Sequence, residues 1–188
     1  MPDNRIIEQM QADAKRLGWT GIVTANCNRF RDKDLADAYA LWCAKAGPDG
    51  IPLRRDMTPR AMQSFLTKVA LFEKIAGPDG RHRYLARLTG PKFATLMTEM
   101  SGKVIDDVVP AEFLPRWYLV GDGVLAYRAP VRAIGIPEAF GRDFLTAEYL
   151  FAPLLDDQGK VKLLLAVVNY ESGRSWSAIA AEEAAFLK

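Results

Sequence analysis

The side chains able to do chemistry are few and scattered along the chain. The one histidine, His82, stands between Arg81 and Arg83 at the start of an expected strand. A Ser-His-Asp or Cys-His arrangement would have to use it. Its place beside a turn reads as solvent-facing. Cys27 and Cys43 form no Cys-x-x-Cys pair, so neither a zinc site nor a redox motif is indicated, and both read as reduced thiols. Asp106-Asp107 and Asp156-Asp157 set carboxylates side by side. Both pairs fall in expected loops, where aspartate is favoured because it bonds its own backbone. Gly121-Asp122-Gly123 echoes a phosphate loop, but it precedes an expected strand rather than a helix N-terminus, so the anion-binding logic fails. Arg54, Arg55 and Arg60 cluster around Asp56 and read as solvated surface. No catalytic arrangement emerges, and the expectation is a protein that is not an enzyme.

The bulk of the chain sets the frame for these residues. Its 188 residues are enough for one domain with decorations. Hydrophobic residues make up 49% and charged residues 26%, a balance that supports an ordinary globular core. A net charge of +2 is too mild for a phosphate-tracking surface, so no nucleic-acid partner is expected. Charges are spread through the first twenty residues, which leaves no apolar core for a signal peptide. The longest apolar run, Leu163 to Val168, is far too short to cross a bilayer. A cytoplasmic protein without membrane contact is the expectation.

Periodicity then places the elements. Ile6, Ile7, Met10, Ala14 and Leu17 form a helical stripe over 4–17, ended by Gly18. The stretch from Trp19 to Phe30 reads as loop. Asp34 looks like an N-cap for a second helix with Leu35, Ala38, Tyr39 and Trp42 on one face. Thr58-Pro59 suggests a third, short helix. Strands over 68–76 and 81–89 flank Gly77-Pro78-Asp79-Gly80 as a hairpin. A helical middle follows, over 91–101 and 110–120. Strands over 124–134, 143–155 and 160–170 come next. The last is apolar enough to be buried on both faces and therefore central. An alanine-rich helix over 177–187 closes the chain. Hairpins either side of a helical middle predict an α+β fold.

Several short motifs carry a resemblance. Leu41-Trp42 is followed by Leu53-Arg54-Arg55-Asp56-Met57-Thr58-Pro59; Arg87-Leu88-Thr89-Gly90 ends the second expected strand; Ser101-Gly102 closes the helical middle; Glu148-Tyr149-Leu150-Phe151-Ala152-Pro153-Leu154 lies in the fourth strand. In order and spacing, over residues 34–171, they resemble the PAS-domain family, in the branch of short standalone bacterial proteins of the alphaproteobacterial type. The resemblance departs at Pro91-Lys92, where the family usually has a small polar residue. It implies a PAS-like five-stranded antiparallel sheet with a helical insertion on one face and extra N-terminal helices. The division is then 1–33 as a helical extension, 34–171 as the PAS-like domain with its preceding helix, and 172–188 as a helical tail.

The resemblance also implies a sensory or regulatory role and raises two cofactors. Haem ligands in PAS domains usually come from the helical middle, where this chain has no histidine. Asn26-Cys27-Asn28-Arg29-Phe30 is similar to the flavin motif of light-oxygen-voltage domains, but an extra asparagine interrupts it and it precedes the first expected strand. Neither haem nor flavin is therefore expected, nor is a metal. What remains is an apolar pocket between sheet and helical middle, with Phe93, Met97, Met100, Phe113, Trp117, Tyr118, Tyr127 and Tyr149 as candidate ligand-binding residues. The same aromatics would also serve simply to fill a core. A small apolar ligand is one expected partner. The alternative is a ligand-free module whose N-terminal helices and sheet surface bind a protein or a second copy.

Overall fold

The computed structural model describes residues 2–186. Helix α1 (Asn4–Arg16) starts where the Asp3 side chain accepts the Arg5 N–H, and buries Ile7, Met10 and Ala14. Strand β1 (Gly21–Thr24) follows, then helix α2 (Lys33–Lys45). The N-cap of α2 is Asp32 rather than Asp34: its carboxylate accepts the N–H groups of Asp34 and Leu35. Leu35, Ala38 and Trp42 form its buried face, and the Trp42 indole N–H donates to the Pro153 carbonyl at 2.8 Å. The segment after α2 runs in turns and short 3₁₀ pieces. No helix forms at Thr58-Pro59; the Thr58 hydroxyl instead accepts the Ala61 N–H in a local turn. Met62 and Phe65 are buried all the same.

Strands β2 (Val69–Ala76) and β3 (His82–Thr89) make the expected hairpin. Helices α3 (Pro91–Leu96) and α4 (Leu114–Tyr127) form the helical middle. Strands β4 (Val131–Gly135), β5 (Leu145–Leu155) and β6 (Val161–Ser172) follow, and α5 (Trp176–Phe186) is the last described element. Of the expected helical tail, residues 187 and 188 lie outside the described residues.

All strand pairs are antiparallel and join in one sheet, in the order β1-β4-β5-β6-β2-β3. The sheet therefore has six strands rather than five. The added strand, β1, pairs Gly21 through Thr24 with Gly135 through Arg132. It is only four residues long and sits at an edge, where little hydrophobic alternation is needed. Strand β6 lies between β5 and β2, and Leu163 to Val168 are all buried.

Two cores lie on opposite faces of this sheet. Helices α1, α3 and α4 cover one, meeting Ala70, Phe72, Tyr84, Ala133, Tyr149 and Leu164. Helix α2 and the segment after it cover the other, meeting Val69, Leu71, Leu150, Leu163 and Leu165. The alternation along β5 sends Tyr149 to the first face and Leu150 to the second.

The largest departure from the sequence expectation is α4. Gly121-Asp122-Gly123 is no turn; it lies inside the helix, which continues through Tyr127 before β4 begins. Each glycine admits a neighbour. A Cβ on Gly121 would sit 2.6 Å from the Tyr84 ring, and one on Gly123 would sit 2.5 Å from the Met10 sulfur. Asp122, between them, takes the polar contacts described below.

Helix α5 docks on the α2 side through charge. The Arg132 guanidinium donates to Glu183 of α5 and to Glu148 of β5. All three side chains are 5% exposed. Glu148 also accepts the backbone N–H groups of Arg31 and Asp32, which ties the start of α2 to the same cluster. Buried Lys68 adds a second tie by pairing with Asp32 and Asp34.

Candidate functional site

Between the first sheet face and the helices lies a cavity of about 120 Å³. Its sheet wall comes from Phe72, Tyr84, Tyr149, Phe151 and Leu164. Its helical wall comes from Phe93, Met97, Phe113, Trp117 and Val120. Met10, Ala14, Trp19 and Val23, from α1 through β1, close a third side. Aromatic edges set its shape: Trp117 meets Phe72 at 5.9 Å in a T-shaped contact, and Tyr149 stacks on Phe151 at 5.2 Å.

Five of the eight residues named from sequence thus come together: Phe93, Met97, Phe113, Trp117 and Tyr149. Three lie elsewhere. Helix α3 ends at Leu96, so Met100 falls in the following turn; it is fully buried in the same core without lining the cavity. Tyr118 is one residue on from Trp117 and so turns about a hundred degrees away around α4. Its hydroxyl donates to Asp106 at 2.7 Å, and its ring meets His82 and Tyr84. Tyr127 is the last residue of α4 rather than a strand residue, and its hydroxyl lies 3.5 Å from the Asn4 side-chain oxygen. The contributions of α1 and β1 went unseen, because they lie outside the segment that carried the resemblance. Trp19 beside a helix end was the one signal that could have found them.

The polar atoms around the cavity are almost all engaged. Arg116 donates through Nε and Nη2 to the Leu17 carbonyl at 3.2 and 3.0 Å, and pairs with Glu138. The Trp19 indole N–H donates to the Ile136 carbonyl at 3.2 Å. The Tyr84 hydroxyl donates to Asp122 at 2.8 Å. Tyr149 differs: it is 6% exposed, and its hydroxyl bonds no group among the described residues. Burial alone pushes that hydroxyl well above the usual tyrosine range, because the charged form is penalised away from water.

The remaining candidates from the sequence sit away from the cavity. His82 is partly exposed and paired, its Nε2 lying 3.0 Å from the Asp122 carboxylate. The same carboxylate accepts from Lys74 at 2.8 Å. Cys27 is buried in the second core, on the opposite sheet face. Burial pushes its thiol up to about 12 despite the nearby Arg132 charge. Cys43 is exposed. Asp156 accepts the N–H groups of Gln158 and Lys160 in a turn, the backbone role expected of it. Asp106 pairs with Arg83. Arg54 donates to the Met57 carbonyl, a local structural bond. Among the described residues no three His, Cys, Asp or Glu side chains are grouped to hold a metal ion, and no helix is long and apolar enough to cross a membrane.

An antiparallel sheet covered by helices, with an apolar cavity between one of its faces and the helical middle, defines a class of small α+β folds. Residues 31–169 match the family described as PAS domain, and the chain belongs to that family of sensory and regulatory domains. Among solved structures, one chain of an RNA-binding light-oxygen-voltage receptor is similar: 15% identical, with a TM-score of 0.40. The likeness covers 97% of this chain and 61% of the receptor chain, so this protein spans less than two thirds of it. RNA binding and light reception are stated of that receptor. No curated protein matches the chain.

Proposed function

We propose that this PAS domain is a sensor that takes up a small apolar ligand in the cavity between sheet and helices, without catalysis. The observation that carries this reading is the cavity itself, an open volume of about 120 Å³ inside an otherwise close-packed, aromatic-lined core. Cores that serve packing alone hold few voids larger than a water molecule. A cavity of ~150 Å³ with apolar walls accepts benzene. That comparison favours a ligand no larger than one ring over haem or a three-ring flavin. Met10 and Met97 at the wall give it an adaptable lining.

The readout falls on α1. This helix lies outside the family-matched segment, closes one side of the cavity, and is held at its end by Arg116 through the Leu17 carbonyl. A ligand biases such a contact only through different affinity for two states, and a molecule pressed against Met10 and Trp19 has that leverage. The dimerisation alternative has less support. The apolar face of α1 is spent on α4 and the sheet, and that of α2 on the other sheet face.

Thermal unfolding in the presence of single-ring hydrocarbons and ketones tests the reading. A ligand at ~100 times its Kd adds about 2.7 kcal/mol to stability. A panel of such compounds that leaves the unfolding temperature unmoved, at concentrations up to their solubility, refutes it.

A further inference from the structure

We infer that the ligand is an uncharged molecule of single-ring size carrying one hydrogen-bond acceptor, such as a ketone oxygen, which takes the Tyr149 hydroxyl as its donor; this rests on the ligand reading above. Tyr149 stands on β5, in the interior of the sheet, with its ring stacked on Phe151 against the cavity. It is 94% buried by its 6% exposure, yet no group among the described residues bonds its hydroxyl. No fully enclosed side-chain oxygen or nitrogen lacks a partner among those residues. The Tyr149 oxygen therefore keeps a little open surface, and the open space beside the ring is the cavity. Buried hydroxyls normally find a partner. A water held inside this apolar lining would find few of the two to four polar neighbours it needs. The other polar atoms at the wall are already committed, Tyr84 to Asp122, Trp19 to Ile136 and Arg116 to Leu17 and Glu138.

The rest of the chemistry follows from what the wall withholds. Arg116 and Glu138 neutralise each other, so a charged ligand would bury an unmatched charge, at high cost. The Tyr149 hydroxyl is protonated at neutral pH, and burial reinforces this; a phenol donates more strongly than it accepts, so a ligand oxygen that takes its proton is the better match.

Calorimetric titration with cyclohexanone and methylenecyclohexane, two molecules of one shape, tests this on the wild type and on Tyr149→Phe. The ketone should weaken about tenfold on Tyr149→Phe, while the hydrocarbon binds equally well or better. The variant itself should unfold at the same or a higher denaturant concentration, since it loses a hydroxyl that nothing satisfies. If both molecules bind and the substitution changes them by the same factor, the Tyr149 assignment is overturned and the cavity reading stands. If neither binds the wild type, both readings fall. A lower denaturation midpoint for Tyr149→Phe would reveal a partner for the hydroxyl in the free protein and overturn the inference as well.

Discussion

Asp122 gathers more polar contacts than any other described residue near the cavity. It accepts from Lys74, Tyr84 and His82 on two neighbouring strands, and so pins α4 across the hairpin. Burial pushes its carboxyl up, but the bonds from Lys74 and Tyr84 and the charges of Lys74 and His82 outweigh that, so its pKa lies below the ordinary value. A depressed carboxylate pKa stabilises the fold above the unfolded-chain value and loses that contribution as pH falls through the folded one. Asp122→Asn should therefore lower the urea midpoint at pH 7 and reduce the fall in stability between about pH 5 and pH 3. A variant with the wild-type profile would show that these bonds contribute nothing. At this scale the sequence was partly legible. Helical spacing brought out Phe93, Met97, Phe113 and Trp117, because apolar periodicity reports burial. It could not separate Trp117 from Tyr118, since both are aromatic and only the direction around the helix decides. Nor could it show which hydroxyl would be left without a partner.

Elements were legible where periodicity is long and failed where tertiary contacts override local signals. The β2–β3 hairpin, β5, β6 and α1 fall close to their expected bounds. Helix α4 does not, because Gly121 and Gly123 read as a turn by local rules although close packing requires them. That account makes a paired prediction. Gly121→Ala drives a methyl into the Tyr84 ring, which is held by Asp122, and overpacking of this kind costs about 1–3 kcal/mol. Gly123→Ala meets only the flexible Met10 side chain, and the helix propensity gain of up to about 1 kcal/mol offsets it. Chemical denaturation should find Gly121→Ala clearly destabilised and Gly123→Ala near neutral; equal effects would contradict the packing explanation. Helix α5 was visible as an alanine-rich stretch, but its dock was not, since Arg132, Glu148 and Glu183 are far apart in sequence. Arg132→Met strands two buried carboxylates, and should cost about 3–5 kcal/mol while raising amide exchange in α5. A loss below about 1 kcal/mol would mean the cluster is solvated.

On the scale of the molecule, one sheet separates two cores of different character. The α2 side holds a buried thiol, many aliphatic side chains and the aromatics Trp42 and Phe65, under a network of ion pairs. The other side is aromatic and contains the cavity. The sequence foretold the antiparallel sheet and the helices across one face. The sixth strand escaped it, because β1 is too short to carry a pattern; packing of α2 on the second face was one of two outcomes left open, because the destination of a helix is a tertiary fact. Among the described residues the methionines divide between the two cores, with Met100 on the cavity side. Met10 and Met97 line the cavity, while Met57 and Met62 are buried on the far face. Methyl-labelled methionine NMR during a cyclohexanone titration therefore tests the central claim most directly. Saturable shifts at Met10 and Met97, with Met57 and Met62 unmoved, are the result expected of a ligand in the cavity. Shifts that never saturate, or that fall on all four methyls alike, would contradict it.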